Sequence, residues 1–475
     1  MLTARPEVPG IAILLLASLP ALAAAPGPDA PTPADPYPLT AAGWGTDAGN
    51  GLMTSRWVED WTGMRAAGHA PSFKAIPLGG EASLTLSTEE RLRHDFFDNG
   101  QLLYGNDYQQ DLFRGIAGAD LHFNSDWRVY GEIGTGQVEG RRSTAGPNLQ
   151  NISSLQQLFV DMREYIDTTL VGAMFGRQEF ADGPRQLVSV GDGSNLHRTW
   201  NGLRLYAHGG KWRVGVFNFR LTRQERGSLD EEINNGESLR GINASVVIGA
   251  NSWLDPFWIH SENRSFKSGT HTGLDQRDTL GLHWFGQQGD LKYDWTLAQQ
   301  TGDYMGRDIK AWALFAVDSL ALSGNGWKPR LTSHIDIASG GGSYGTGKVT
   351  AFDPLYASSN YLGDGQFFSL NNLLLIAPGI AVSPTSRANV TLEYGFARRL
   401  NQDDAVYAGG LRVYSGTQNV KGHDAGGLLR FYGTYAASEH LTMFFNYEQL
   451  AAGDVLKQAK LGSGKYGYVG ATFRY

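Results

Sequence analysis

From about Glu81 onward the chain repeats one pattern, a run of alternating apolar and polar residues followed by Gly, Asn, Asp or Ser. Leu280, Leu282 and Trp284 oppose Gly281 and His283. Leu291, Tyr293, Trp295 and Leu297 oppose Lys292, Asp294, Thr296 and Ala298. Val390, Leu392, Tyr394 and Phe396 oppose Thr391 and Glu393. Period-two alternation gives each strand one apolar and one polar face. Many runs approach the roughly 9–11 residues that a tilted strand needs to cross a bilayer. Their apolar faces are rich in Tyr, Trp and Phe, as interfacial girdles require. The pattern predicts an all-β chain forming a closed antiparallel barrel of about 18 strands, an even number as such barrels favour. Closure is expected because an open sheet edge cannot be satisfied in lipid.

The two ends of the chain sharpen this reading. Ile11 to Leu22 is an apolar run closed by Ala21-Leu22-Ala23, the order of a secretory signal peptide cleaved after Ala23. It is short of the about 20 residues of a spanning helix, and no later stretch approaches one. Prolines from Pro26 to Pro38 mark an extended linker over 24–38, and residues 39–80 lack sustained alternation, as a plug folded into the lumen would. At the other end Tyr475, Phe473, Ala471 and Val469 share one face, while Arg474, Thr472 and Gly470 share the other. A terminal aromatic on an alternating last strand resembles the assembly signal of bacterial outer-membrane barrels. The expected division is signal peptide 1–23, linker 24–38, N-terminal segment 39–80 and barrel 81–475, of the outer-membrane porin type.

Composition agrees with that class and removes others. Charged residues make up only 18% of the chain and aromatics 11%, with 62 glycines, yet mean hydropathy is −0.29. An apolar outer face averaged with a polar lumen gives such values. There is no cysteine, hence no disulfide, thiolate nucleophile or cysteine metal site. The net charge of −7 excludes a generally basic nucleic-acid binder.

Little in the sequence points to catalysis. Gly341-Gly-Ser-Tyr-Gly345 fits a hydrolase elbow, but its glycine-rich setting offers no following helix and reads as a flexible loop around Ser343. The histidines are scattered and form no metal-binding pair. Asp403-Asp404 reads as a solvated turn, with calcium binding as the lesser reading. No catalytic residue, metal site or cofactor is therefore expected, and a barrel hydrolase is the weakest of the functional readings.

The arginines carry more information. Arg91 and Arg93 stand two apart and share a face; Arg177, Arg185, Arg198 and Arg204 fall close together; Arg399 follows a late strand. An arginine facing lipid at the midplane costs ~2–4 kcal/mol, which directs such residues to the lumen or its rims. There they either present free charge to anions or pair with Glu89, Glu90, Glu132 and Glu179 as struts across the lumen. Spacing does not choose between the two.

At these residues the sequence resembles the alginate export family of outer-membrane channels. The stretch Phe175-Gly-Arg-Gln-Glu179, Gly183-Pro-Arg-Gln-Leu-Val188, Gly193 to Arg198 and Trp200-Asn-Gly-Leu-Arg204 is its most recognisable part. Arg56 to Trp61, Lys74 to Leu78, Glu89 to Arg93, Phe352 to Tyr356, Asn371 to Pro378 and Asp404 to Tyr407 extend it in order. The resemblance implies an arginine-lined lumen partly occluded by loops. Through it an anionic, alginate-like polysaccharide would leave the cell, supplied by periplasmic export machinery. Arg91, Arg93, Arg177, Arg198, Arg204 and Arg399 are then pore-lining or substrate-binding candidates, with Arg185 at a rim or turn. The surrounding partners are outer-membrane lipid and lipopolysaccharide. The alternative is a general or substrate-specific porin for small solutes.

Overall fold

The computed structural model describes residues 52–475 apart from 142, 143 and 183. The signal peptide, the linker and the start of the N-terminal segment lie outside the described residues.

Eighteen strands form the wall. In chain order they are β1 (Ala82–Asp98), β2 (Tyr108–His122), β3 (Trp127–Glu139), β4 (Asn151–Ile166), β5 (Thr169–Glu179) and β6 (Thr199–Gly209). There follow β7 (Trp212–Arg223), β8 (Glu232–Gly249), β9 (Ser252–Ser268), β10 (His271–Gln288), β11 (Leu291–Tyr304) and β12 (Arg307–Ala321). The last are β13 (Arg330–Ala338), β14 (Leu373–Thr385), β15 (Ala388–Arg398), β16 (Asp424–Ala436), β17 (Leu441–Ala452) and β18 (Gly464–Arg474). Each strand pairs antiparallel with the next, and β18 returns to β1, with Arg474 opposite Glu89 and Lys465 opposite Asp98. Every ladder is thereby closed, as hydrocarbon demands.

Alternation decides which face each residue takes. Leu280, Leu92 and Phe175 are 63%, 62% and 63% exposed on the outer face, whereas their chain neighbours Thr279 and Arg91 are buried toward the lumen. At one end the strands are joined by tight turns such as 167–168, 210–211 and 250–251. At the other end stand the long connections 180–198, 339–372 and 399–423. In outer-membrane barrels the long loops are extracellular.

Inside the barrel there is a packed core. Phe180, Leu187 and Val188 from the 180–198 loop, and Phe352 and Tyr361 from the 339–372 loop, pack against Trp200, Phe217, Phe219, Phe257 and Phe315 of the wall. Each such side chain removed from water contributes ~1.5–3 kcal/mol. This holds the long connections inside the lumen rather than above it.

The N-terminal segment packs at the short-turn end. Trp57 and Val58 join Tyr130, Phe159, Met174 and Tyr206 in a second apolar cluster. Arg56 donates to the main-chain oxygen of Tyr475 (2.7 Å) and pairs with Glu59 (3.0 Å). Lys74 donates to the Leu86 carbonyl (2.8 Å) and lies 5.4 Å from the Tyr475 ring centre. The segment thus grips the last residue of the chain beside the β18–β1 closure.

The register makes a direct prediction. Leu280→Arg, near the middle of β10 on the outer face, should cost ~2–4 kcal/mol in a bilayer. The shift is measured as a lower midpoint of heat-induced mobility change on gels. An unchanged midpoint, with Leu280→Ala as reference, would place that face away from lipid.

Candidate functional site

The lumen narrows where two inward loops meet. The 180–198 loop runs alongside the 339–372 loop in a short parallel pairing between Val188 and Tyr356. Tyr356 N–H donates to the Leu187 carbonyl and Ser358 N–H to the Arg185 carbonyl, both at 2.8 Å. Arg198 adds a side-chain tie, donating to the carbonyls of Ser189 (2.9 Å) and Tyr356 (2.8 Å). At the tip, Gly193 is so close to Ser359 and Asp364 that a Cβ there would strike the Ser359 hydroxyl. A side chain at 193 would therefore require the Ser359 hydroxyl to move aside.

Arginines on the wall hold this tip. Arg91 donates to the carbonyls of Asp192 (2.6 Å) and Ser194, and Arg93 to that of Gly193 (3.0 Å). Arg114 of β2 reaches the Asp192 carboxylate (2.7 Å) and pairs with Glu89. Glu89 also accepts from Arg474 (2.7 Å), and His197 lies 2.9 Å from Asp192 and 2.5 Å from Glu179. A continuous chain of alternating charge therefore runs Arg474–Glu89–Arg114–Asp192–His197–Glu179, from the closing strand through the loop to β5. Burial disfavours the His197 cation, but the Glu179 charge and the bond to Asp192 outweigh it and raise its pKa to about 10. For Asp192, burial opposes ionisation, yet Arg114, His197 and Arg91 hold the carboxyl well below the usual range.

The remaining candidates have distinct placements. Arg204 is buried in the wall behind the loop and pairs with Asp182 (2.7 Å), which also accepts from Asn243 (3.2 Å). Arg399 is buried and fastens the 399–423 loop through the carbonyls of Gly422 (2.8 Å) and Asp404 (2.9 Å). Arg177 does not join the others. It pairs across the sheet with Leu158 and Asn201, so it shares the outer face with Phe175, and it meets Glu231 of the 224–231 loop at 3.5 Å. Arg185 alone of the seven is exposed with no carboxylate at ion-pair distance among the described residues, and its guanidinium lies 5.4 Å from the Tyr361 ring centre. With Arg430, Tyr432, Asn446 and Tyr468 it lines a 190 Å³ cavity on the short-turn side of the bridge. Arg430 there pairs with Glu393 (2.6 Å).

Of the groups proposed as struts, Glu89 pairs with Arg114 and Arg474, and Glu179 with His197; Glu132 accepts from Tyr130 (2.7 Å) and Gln157 (3.2 Å). Arg114 and Arg430 were not singled out in the sequence, although both stand inside alternating runs where the cost of an outward arginine would have directed them to the lumen. The Ser343 stretch, read as a flexible loop, is fastened instead. Ser343 is buried and donates to Asp404 (3.2 Å), which also accepts from Gly341 N–H (2.6 Å) and the Tyr407 hydroxyl (2.6 Å). Asp404 is thus an internal loop staple rather than half of a solvated turn, while Asp403 pairs at the surface with Lys421 (2.5 Å).

The charge chain fixes a pH dependence. A base held protonated more tightly in the folded state stabilises fully below its unfolded pKa, and that contribution is lost as pH rises through the folded value. Anchoring of the 180–198 loop through His197 should therefore persist across neutral pH and weaken as pH rises through about 10. Asp192 works in the opposite sense, with anchoring lost only in strong acid. Proteolysis within the loop as a function of pH reads this directly, and a transition near pH 6 to 7 would contradict it. Arg114→Ala removes the one cation shared by Glu89 and Asp192, leaving Glu89 to Arg474 and Asp192 to His197 and Arg91, and should speed proteolysis of the loop at neutral pH.

Comparison with known proteins agrees with this geometry. The alginate export family model matches residues 82–469. Among solved structures, Pseudomonas aeruginosa OccK8 (OprE) superposes with a TM-score of 0.55 at 11% identity, covering 82% of this chain and 98% of that one. Acinetobacter baumannii OccAB1 gives 0.54 at 13%, covering 85% and 98%. Pseudomonas aeruginosa OccK2 (OpdF) in complex with glucuronate gives 0.52 at 12%, covering 82% and 96%. No curated protein matches at the sequence level. The shared fold is that of porin channels, and the chain is an outer-membrane β-barrel channel belonging to the alginate export family.

Proposed function

We propose that the channel passes anionic saccharides, uronate polymers foremost, from the periplasm to the cell exterior. The observation that carries this reading is Arg185. Its guanidinium lines the cavity on the periplasmic side of the loop bridge, beside Arg430 and three tyrosines, with no carboxylate at ion-pair distance among the described residues. A planar guanidinium binds a carboxylate through two parallel hydrogen bonds, and tyrosines supply rings and hydroxyls suited to a sugar. Permeation through such a lumen is passive, and binding has to be weak and repeated so that the chain moves on. Glucuronate in the OccK2 complex is a carboxylated sugar of the same chemistry.

A second reading has its own support. The bridge between the 180–198 and 339–372 loops divides the lumen into small cavities, which suits a porin for small carboxylated solutes. Single-channel recording separates the two. For the exporter, polyuronates of increasing length added on the periplasmic side should block with increasing residence time. For the porin, monomers permeate and long chains have no effect. In a KCl gradient, Arg185→Ala should lower the anion-to-cation permeability ratio by about twofold. A ratio unchanged in that variant, or a cation-selective native channel, would remove the basis for an anion path.

A further inference from the structure

On the long-loop side of the bridge lies a second cavity, of 380 Å³, to which the function proposed above assigns nothing. Its lining comes from the ends of β1, β2 and β18 and from five loops, among them Arg141, Arg412, Tyr108, Phe97 and Tyr466. The rings form a stack. Phe97 lies 4.1 Å from Tyr108 at 19° and 4.6 Å from Tyr466, and the Arg141 guanidinium caps the far side of Tyr108 at 3.9 Å. Arg412 lies 5.4 Å from the Tyr414 ring centre on the opposite loop.

The charges of this cavity are unevenly committed. Arg93 is bound by Asp95 (2.7 and 3.0 Å), which also accepts from Gln110 (3.0 Å). Lys465 is bound by Asp98 (2.7 Å), and Asp364 accepts from the Tyr468 hydroxyl (2.8 Å). Among the described residues no carboxylate lies within ion-pair distance of Arg141 or Arg412. The cavity thus has two guanidinium groups without a carboxylate, each beside a tyrosine ring. A neighbouring ring limits the donor fork in advance, so less rotamer freedom is lost when an anion binds.

We infer that this cavity is an exit-side binding site for one carboxylated sugar ring, with its carboxylate held by Arg141 and Arg412 and its ring placed beside Tyr108 and Tyr466. The inference rests on the anionic-saccharide reading for its substrate class, but the site stands or falls by itself. Thr144 lines the same cavity, and the natural chain has no cysteine, so Thr144→Cys gives a single reactive thiol there. Its rate of modification by a small methanethiosulfonate is measured in the detergent-solubilised barrel, with free D-glucuronate and D-glucose as probes.

At a glucuronate concentration ten times its dissociation constant, labelling should slow about tenfold, since about a tenth of the sites remain free. Glucose should not protect. Adding Arg141→Ala and Arg412→Ala together should restore the unprotected rate, and the paired lysine variants, which keep charge but lose the fork, should give intermediate protection. A gel mobility shift confirms that each variant is a folded barrel. Equal protection by glucose, no protection by glucuronate, or full protection in the double alanine variant would each overturn the site. A channel that proves unselective for ions while Thr144→Cys remains protected would overturn the transport reading and leave this site standing.

Discussion

A guanidinium enclosed in a barrel has to be met by oxygen atoms, and here many of those oxygens are main-chain carbonyls of segments drawn into the lumen. Arg91 and Arg93 take the carbonyls of residues 192–194, Arg198 those of Ser189 and Tyr356, and Arg399 those at the base of the 399–423 loop. Arg128 takes that of Trp57, and Arg56 that of Tyr475. Charge-assisted bonds of this kind are about twice as strong as neutral ones. They let the wall fix loop positions without prescribing loop side chains. The apolar core in the lumen follows, since loops held inside bring Phe180, Leu187 and Phe352 against the wall.

That arrangement bears on how a charged substrate can be accommodated. A bare arginine row would be costly to desolvate and self-repelling. A carbonyl acceptor lowers the desolvation cost without cancelling the charge, as at Arg198, whereas Arg93, Arg56 and Arg128 also pair with Asp95, Glu59 and Asp120. At the centre of the bridge the Asp192 carboxylate serves Arg114 (2.7 Å), His197 (2.9 Å) and Arg91 (3.7 Å), so one acid meets three cationic groups.

The wall was largely legible in the sequence because a two-residue period leaves each strand one lipid-facing set. Leu280, Leu282 and Trp284 against His283, and Val390 to Phe396 against Glu393, fall as the alternation requires. The site was legible only in part. Arg177 follows the same logic as Arg91 until the sheet is seen. Its place two residues from Phe175 puts it on the outer face, opposite Leu158 and Asn201, where the cost of an outward arginine argued against it. Its outward charge is tolerated because Glu231 folds over it from another loop. Asp192 and His197 carry no signal in the sequence, yet they link the wall arginines to Glu179. Partners more than 70 residues apart, such as Arg114 with Asp192, carry no local signal.

The three uncommitted arginines give the lumen a direction. Arg185 lies on the short-turn side of the loop bridge, and Arg141 and Arg412 lie on the long-loop side. Between them stands the bridge, where Arg114, His197 and Arg91 share Asp192. The exposed or ring-backed guanidinium groups without a carboxylate at ion-pair distance, among the described residues, thus lie on both sides of the bridge. A small anion held at one approach has to leave it before reaching the other, so the two form separate wells. A chain long enough to occupy both wells gains at one as it leaves the other, which flattens the barrier that a monomer meets. The spacing of these groups is thus where the two proposed cargoes would part company, because only a chain can engage both approaches at once.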